Sequence, residues 1–169
     1  MDVTAPTLSS SALDTTGKVI TLTFDEALKS QADSAAIKAG FTVNVDGATI
    51  DASKITGTQN TDFKKVILTL ADDVAIGTGQ NVTVGYAKST GNHVDTDNST
   101  DERVEVADFF ATVASSSSLD VTAPTLSRSS LDATGKVITL TFAEALKAQA
   151  DSAAIKAGFC LLYRSDAAD

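Results

Sequence analysis

The chain of 169 residues has little of several residue types that would define a particular class of protein. Its one cysteine is Cys160, close to the C-terminal end, which excludes a disulfide framework and a cysteine-based metal site. Basic residues are also scarce, with 13 Lys and Arg against 22 Asp and Glu, a net charge of −9. Such a surface disfavours nucleic acid and anionic membranes as partners. No apolar run reaches the roughly 18 to 20 residues that cross a bilayer, so we expect no direct membrane insertion.

Reactive side chains are few, which argues against an enzyme. His93 is the only histidine of the chain, and its Gly-Asn-His context is typical of a solvated loop, with a base or metal ligand as the alternative. The neighbouring pairs Asp72-Asp73 and Asp101-Glu102 would point to opposite faces of an extended backbone. We therefore expect no catalytic residues and no catalysis within this chain.

The dominant feature of the sequence is an internal repeat. Residues 2–41 recur at 120–159 with only five substitutions: Ser10/Arg128, Ala12/Ser130, Thr15/Ala133, Asp25/Ala143 and Ser30/Ala148. Repeats of this length are typical of tandem arrays, which serve as scaffolds. We therefore predict a complete module at residues 2–113, a Ser-rich linker at 114–119 and an incomplete second copy at 120–159.

The last ten residues, 160–169, continue neither copy of the repeat. They resemble the translation of a transposase adapter used in short-read sequencing libraries and depart from it only at Arg164. We therefore interpret them as a non-native tail and leave them out of the fold prediction, as one would a fusion scar. A divergent natural terminus is the alternative.

Alternating apolar and polar residues predict about seven β-strands. In residues 18–24 the side chains of Ile20, Leu22 and Phe24 share one face, which is typical of a half-buried strand. The other predicted strands are 7–13, 41–45, 48–53, 66–70, 82–86 and 104–113, separated by Gly, Asp and Asn turns.

One segment, residues 26–40, has few β-branched residues and predicts a short helix capped by Asp33 or Ser34 that ends at Gly40. Seven short strands with this insertion predict an all-β fold, an Ig-like antiparallel β-sandwich followed by the incomplete second copy. We expect that copy to be poorly ordered, or packed on the first module, because its apolar faces lack partners.

Several segments together resemble a known repeat. The DVTAP opening at 2–6, TLTFDEAL at 21–28 and VTVGYA at 82–87 are similar to the Ig-like repeat of SwmB-type cyanobacterial long proteins and related surface proteins. The resemblance implies a large extracellular or cell-surface protein with many such repeats, associated with surface layers, adhesion or motility. The chain departs from that pattern at residues 93–105, where it has a longer acidic stretch.

This acidic stretch supplies hard oxygen donors of the kind that Ca²⁺ requires. In an Ig-like sandwich it would lie where the chain enters the module and where the second strand ends. The candidate Ca²⁺ ligands are therefore Asp2, Glu26, Asp95, Asp97, Asp101 and Glu102. Asp25 is expected to be dispensable, because Ala143 replaces it in the second copy. A solvated acidic surface without metal is the alternative.

Two hypotheses for the function follow from the sequence. The first is a structural spacer repeat whose partners are the neighbouring repeats of the same chain. The second is an adhesin-type module that recognises glycans or surface proteins through its loops and is rigidified by Ca²⁺. A third, less specific interpretation is an accessory module of an enzyme encoded elsewhere in the gene.

Overall fold

A computed structural model describes residues 4–94, 104–146, 148, 151–156 and 159. The chain divides into two units, Met1–Thr122 and Ala123–Asp169. The described part of the first unit contains β1 (Leu8–Leu13), β2 (Val19–Phe24), α1 (Ser34–Lys38), β3 (Phe41–Val45), β4 (Ala48–Thr49), a 3-10 turn (Ala52–Lys54), β5 (Ile55–Gln59), β6 (Lys65–Leu70), β7 (Val82–Tyr86), β8 (Phe109–Thr112) and β9 (Ala114–Ser115).

The strands of the first unit form two sheets. One has the order β5-β6-β2-β1-β9, and the other has the order β4-β3-β7-β8. Neighbouring strands are antiparallel except β1 and β9, which run parallel through the pairs Ala12 with Ala114 and Leu13 with Ser115. Apart from β9, this order is that of strands DEBA and C′CFG in immunoglobulin sandwiches. The prediction of an all-β sandwich is confirmed.

A single hydrophobic core joins the two sheets. The first sheet contributes alternate residues of β2 and β6, and the second contributes alternate residues of β3 and β7. The buried side chains of these four strands are Ile20, Leu22, Phe24, Val43, Val66, Leu68, Leu70, Val82, Val84 and Tyr86. Each large aliphatic side chain contributes about 1.5 to 3 kcal/mol when fully buried, and a slip of one residue would expose the whole face. The alternation seen in the sequence therefore fixes the register.

The short helix forms where the sequence predicts it. Asp33 is its N-cap, and the carboxylate accepts a hydrogen bond of 2.8 Å from the backbone nitrogen of Ala36. The chain leaves the helix through Gly40, whose φ of +82° lies in the left-handed region that favours glycine. Both predicted boundaries of this element are therefore determined by local chemistry.

Strand β5 is absent from the sequence prediction. Its sequence, ITGTQ, is short and contains Gly57, which weakens the strand signal. The glycine is required by packing, because a Cβ there would lie 2.9 Å from the side chain of Ile37 in α1. The helix thus lies directly over the strand, a relationship that no local pattern reveals.

Two other predicted strands are shorter than expected. The strand predicted at 48–53 is limited to Ala48–Thr49, because Asp51 accepts a hydrogen bond from the backbone nitrogen of Ser53 and begins the 3-10 turn. The strand predicted at 104–113 is limited to Phe109–Thr112, followed by β9.

The second unit contains β10 (Leu126–Leu131), β11 (Ile138–Phe142) and α2 (Ser152–Lys156). Its hairpin repeats the register of β1 and β2, with Leu131 opposite Ile138 as Leu13 is opposite Ile20. The equivalent isoleucines of the two hairpins differ sharply in side-chain exposure, since Ile138 is 48% exposed and Ile20 is 0% exposed. In the first unit these apolar faces are covered by β6 and the second sheet, which follow residues 2–41 in sequence.

Candidate functional sites at the two ends of the module

The chain enters and leaves the first unit at opposite ends of β1. Residues 4–7 lead into β1, whereas β9 runs parallel to β1 and continues past its last residue. We call residues 4–7, 25–31 and 91–94 the entrance end. Residues 14–17, 76–80 and 116–122 are the exit end. In an array of modules, these are the surfaces that the connecting segments would reach.

At the entrance end, Asp25 links the segment before β1 to the end of β2 by hydrogen bonds. Its carboxylate accepts a hydrogen bond of 2.7 Å from the backbone nitrogen of Thr7 and one of 2.6 Å from the Thr7 hydroxyl. These hydrogen bonds hold the pKa of Asp25 below its usual value. In the second unit Ala143 keeps the backbone hydrogen bond, from its nitrogen to the carbonyl oxygen of Thr125, but has no carboxylate. Asp25 therefore fastens the start of β1 to the end of β2.

Of the six candidate Ca²⁺ ligands, the structure describes Glu26, which is half-buried at the entrance end. The others, Asp2, Asp95, Asp97, Asp101 and Glu102, lie outside the described residues, so the Ca²⁺ site stays a prediction. Within the described ranges no group of three or more His, Cys, Asp or Glu side chains could hold a metal ion.

Both ends of the acidic stretch are at the entrance end. Val94 and Glu105 form an isolated antiparallel bridge. The backbone nitrogen of Lys29, shortly after β2, donates a hydrogen bond of 2.8 Å to the carbonyl oxygen of Val94. Glu105 also pairs with Lys88, with 3.2 Å between the charged atoms. The residues that flank the acidic stretch therefore lie at the entrance end, where Val94 contacts the segment that follows β2.

His93 is not the solvated loop histidine that its sequence context predicts. Its side chain is 1% exposed and lies near the rings of Phe41 and Tyr86, with centroids 5.2 and 5.8 Å away. The backbone nitrogen of His93 donates a hydrogen bond of 3.0 Å to the Tyr86 hydroxyl. Gly91 permits this fold of the loop, because a Cβ there would lie 2.1 Å from that hydroxyl oxygen. The loop therefore packs into the core, although its polar sequence predicts a solvated loop.

The protonation state of His93 follows from its surroundings. Nε2 lies 2.6 Å from the carbonyl oxygen of Ile37, and because a carbonyl only accepts, Nε2 carries the hydrogen. Nδ1 is buried without a hydrogen-bond partner among the described residues. Burial lowers the pKa of His93 more than the Ile37 carbonyl raises it. The imidazole is therefore neutral at pH 7 and has a structural role between α1 and the second sheet.

Residues Ser115–Ser118, which we call the serine strap, bind to the exit end. The Ser116 hydroxyl donates to the carbonyl oxygen of Leu13 at 2.6 Å, and the Ser117 hydroxyl donates to that of Ile76 at 2.7 Å. The backbone nitrogen of Ser118 donates to the carbonyl oxygen of Thr15 at 3.2 Å. The segment predicted as a linker is thus hydrogen-bonded along its length to the first unit.

Two glycines allow the close approach of backbone segments at the exit end. Gly17 has a φ of +67°, and a Cβ there would lie 2.1 Å from the carbonyl oxygen of Ile76. A Cβ on Gly77 would lie 2.1 Å from the side chain of Val121. Thr78 then donates from its backbone nitrogen to the carbonyl oxygen of Leu119 at 2.9 Å. The exit end is therefore tightly packed up to residue 121.

An open groove of about 360 Å³ lies beside the start of β1. Its lining residues are Pro6, Thr7, Leu8, Val106, Ala107, Asp108, Phe109, Phe110 and Ala111. Phe110 lies on β8 at the edge of the second sheet, and its side chain is 70% exposed. An exposed aromatic ring beside a groove is a feature of many binding surfaces.

Comparison with known proteins identifies a related family. Residues 1–91 match the family model of the SWM repeat, whose description is "Putative flagellar system-associated repeat". No curated protein matches the chain. Among solved structures, the crystal structure of the S-layer protein rSbsC(31-844) is similar, with a TM-score of 0.44 and 17% identity over 83% of this chain. The chain spans 18% of that protein's length, and at this TM-score the likeness is no basis for a shared function.

The helices that the structure describes include none that is long and apolar enough to cross a bilayer.

Proposed function

Since the chain belongs to the SWM repeat family, we propose that its first unit is a structural spacer repeat of a large secreted or cell-surface protein. The family description associates such repeats with a flagellar system, which supports a surface or motility setting. Neighbouring repeats of the same chain are the partners that this function requires. The second, partial copy of the repeat in this sequence supports a tandem arrangement.

The observation that carries the proposal is the placement of the two ends. The chain enters before β1 and leaves beyond the end of β1, because β9 is parallel to it. Modules joined in this way extend an array instead of folding it back on itself. The serine strap leaves few residues free between the first unit and β10, which begins at Leu126. A short connection of this kind favours a stiff array.

The proposal is tested by the length of longer arrays. One to four additional copies of residues 2–119 are joined ahead of the full chain, and particle lengths are measured by negative-stain electron microscopy. A spacer predicts equal increments, each of at least about 20 Å, the length of a six-residue strand. A total length that grows only as the square root of the copy number would indicate flexible joints and contradict the proposal.

The second candidate function is recognition of glycans or surface proteins. The specific observation in its favour is Phe110, which is 70% exposed beside the groove at the start of β1. The full chain and its Phe110→Ser variant are compared for binding to a glycan array and to intact bacterial cells. Saturable binding that the variant loses supports an adhesin, and equal signals from the two proteins contradict it.

We also propose that Ca²⁺ binds at the entrance end through Glu26 and the acidic stretch. Carboxylates clustered at a junction between modules would bind the ion and lose their mutual repulsion, which stiffens the joint. Calorimetric titration with CaCl₂ tests this, together with thermal unfolding with and without chelator. Glu26→Gln should weaken binding, whereas Asp72→Asn, at an exposed residue that is paired with Lys18 and lies outside the entrance end, is the matched control. An unchanged melting temperature contradicts the proposal.

A further inference from the structure

We infer that the first unit is a load-bearing module, in which the pairing of β1 with β9 and the serine strap resist forces that pull its two ends apart. The inference rests on the proposed spacer function, because modules joined in series all carry the tension applied to the array. It goes beyond that function by assigning mechanical resistance to named hydrogen bonds. A spacer without this resistance would still keep its length at rest.

The direction of β9 determines how tension acts on it. Force enters the module at the start of β1 and leaves it after β9, past the end of β1. Pulling these points apart slides two parallel strands along each other, so that their hydrogen bonds are loaded together. In an antiparallel pair pulled from its adjacent ends, the bonds would instead break one after another. The parallel pair is therefore the arrangement that resists a pull along the chain.

The pairing of β1 with the C-terminal segment is longer than two residue pairs suggest. Before the pairs of Ala12 with Ala114 and Leu13 with Ser115, the Ser11 hydroxyl donates to the carbonyl oxygen of Thr112 at 3.1 Å.

After these two pairs, Ser116 donates to the carbonyl oxygen of Leu13 from its nitrogen at 3.2 Å and from its hydroxyl at 2.6 Å. Ser118 continues the contact to Thr15. Serine hydroxyls thus add hydrogen bonds where the backbone ladder alone is short.

A second anchor lies in the loop before β7. The Ser117 hydroxyl, on a side chain that is 9% exposed, donates to the carbonyl oxygen of Ile76, which is fully buried. Thr78 donates from its hydroxyl to the carbonyl oxygen of Ser117 at 3.1 Å and from its nitrogen to that of Leu119. Because water has little access to Ser117, it competes poorly for these groups. Tension at the exit end is therefore shared between β1 and this loop.

The entrance end has a corresponding fastening. Thr7, just before β1, is held by two hydrogen bonds to the carboxylate of Asp25 and by the backbone hydrogen bond from Asp25 to its carbonyl oxygen. Strand β1 itself lies between β2 and β9. Its start is thus prevented from peeling away before the pair with β9 is loaded. The path of the force consequently runs through β1 from end to end.

Single-molecule force spectroscopy on the full chain tests the inference. The chain is placed between two copies of a marker domain of known unfolding length and is pulled from its termini. Unfolding of residues 8–119 is recognised by a gain in contour length of roughly 370 to 400 Å, less the folded length. The rate of this event at fixed force is the quantity compared between variants.

Three variants separate the strap from general stability. Ser116→Ala combined with Ser117→Ala removes two hydroxyl hydrogen bonds of the strap, and we expect unfolding at fixed force to be about tenfold faster or more. Ile55→Val trims the core in β5, at the opposite edge of the same sheet, and lowers the equilibrium stability. Its unfolding rate under force should stay within about twofold of the original chain. Ser11→Ala, on a half-buried side chain outside the strap, is the milder probe if the double variant does not fold.

The unfolding rates of these variants under force distinguish a load-bearing strap from a general loss of stability. A selective acceleration by the strap variants, or by Ser11→Ala, supports the load-bearing role. Equal acceleration by the strap variants and Ile55→Val, or no acceleration by the strap variants, overturns it. Array lengths are measured without force, so they test the spacer function separately from the mechanical role.

Discussion

The hydroxyl of Ser117 donates a hydrogen bond of 2.7 Å to the carbonyl oxygen of Ile76. This contact joins the segment after β9 to the loop before β7, forty-one positions earlier in the sequence. A run of serines reads as a flexible linker, but here the backbone and side chains of these residues complete the exit end. The junction between repeats is therefore part of the folded module.

Removal of the buried strap hydroxyl should destabilise the first unit. In Ser117→Ala the carbonyl oxygen of Ile76 stays buried without its partner, which costs about 1 to 3 kcal/mol in the free energy of unfolding. Ser118→Ala is the control, because its side chain is exposed and its hydroxyl bond is long, at 3.4 Å. Urea unfolding should give a lower midpoint for the first variant alone. Equal midpoints for the two variants would contradict the role of the strap.

Gly17 should tolerate no side chain, because backbone strain and a steric clash coincide there. Its φ is +67°, and a Cβ would lie 2.1 Å from the carbonyl oxygen of Ile76. Gly79 has a φ of +81° with nothing within 4 Å of an added Cβ, so Gly79→Ala isolates the strain. We expect about 1 kcal/mol for Gly79→Ala and about 3 kcal/mol or more for Gly17→Ala. Similar thermal shifts for both would show that the exit end is loosely packed.

The buried imidazole makes stability depend on pH. The pKa of His93 is lowered in the folded protein, so the unfolded chain takes up a proton below about pH 6.5 while the folded chain does not. The free energy of unfolding should therefore fall as the pH drops from about 6.5, by at most about 1.4 kcal/mol per pH unit, until the folded pKa is reached. Above pH 6.5 this contribution is constant. Burial raises the pKa of Tyr86, the neighbouring phenol, which stays neutral over this range.

His93→Gln provides the comparison for this pH dependence. The amide nitrogen of glutamine can donate to the carbonyl oxygen of Ile37 as Nε2 does, but it does not titrate. Urea unfolding of both proteins between pH 5 and 8 should show a slope for the original chain and a flatter profile for the variant. Parallel profiles would assign the slope to other groups.

Identical sequences in the two units should exchange backbone hydrogens at different rates. Strand β2 is covered by β6 and the second sheet, whereas the side chains of β11, including Ile138, are largely exposed. Hydrogen exchange followed by mass spectrometry should find peptides from residues 19–24 protected and those from 138–142 rapidly exchanged. Equal protection of the two strands would show that the second unit buries its apolar face in solution.

Much of the fold could be predicted because it is encoded locally. The alternation of Ile20, Leu22 and Phe24 determines both strand and face, and Asp33 caps the helix through its own backbone neighbours. In the turn that begins at Asp14, the carboxylate of this residue accepts hydrogen bonds from the backbone nitrogens of Lys18 and Val19. The same bonds recur at Asp132 in the second unit, although the surrounding strands differ. Short-range chemistry is therefore sufficient for this turn.

The parts that could not be predicted depend on contacts between distant residues. Strand β5 has Gly57 because α1 lies over it, and His93 is buried because Gly91 lets the loop pack against Tyr86. The serine strap is ordered by carbonyl groups of Leu13 and Ile76, which its own sequence does not indicate. In each case a polar or flexible segment is fixed by partners elsewhere in the chain.

A distance across the module tests most directly whether the strap is docked and the two ends are held apart. Spin labels are placed at Ser9, near the start of β1, and at Ser118, whose nitrogen donates to Thr15, and Cys160→Ser removes the one cysteine already in the chain. Pulsed electron paramagnetic resonance should give one narrow peak at about 20 Å between the backbones, the length of six strand residues, plus the labels. A broad distribution would show that residues 115–118 are a flexible linker and would contradict both the spacer function and the load-bearing role.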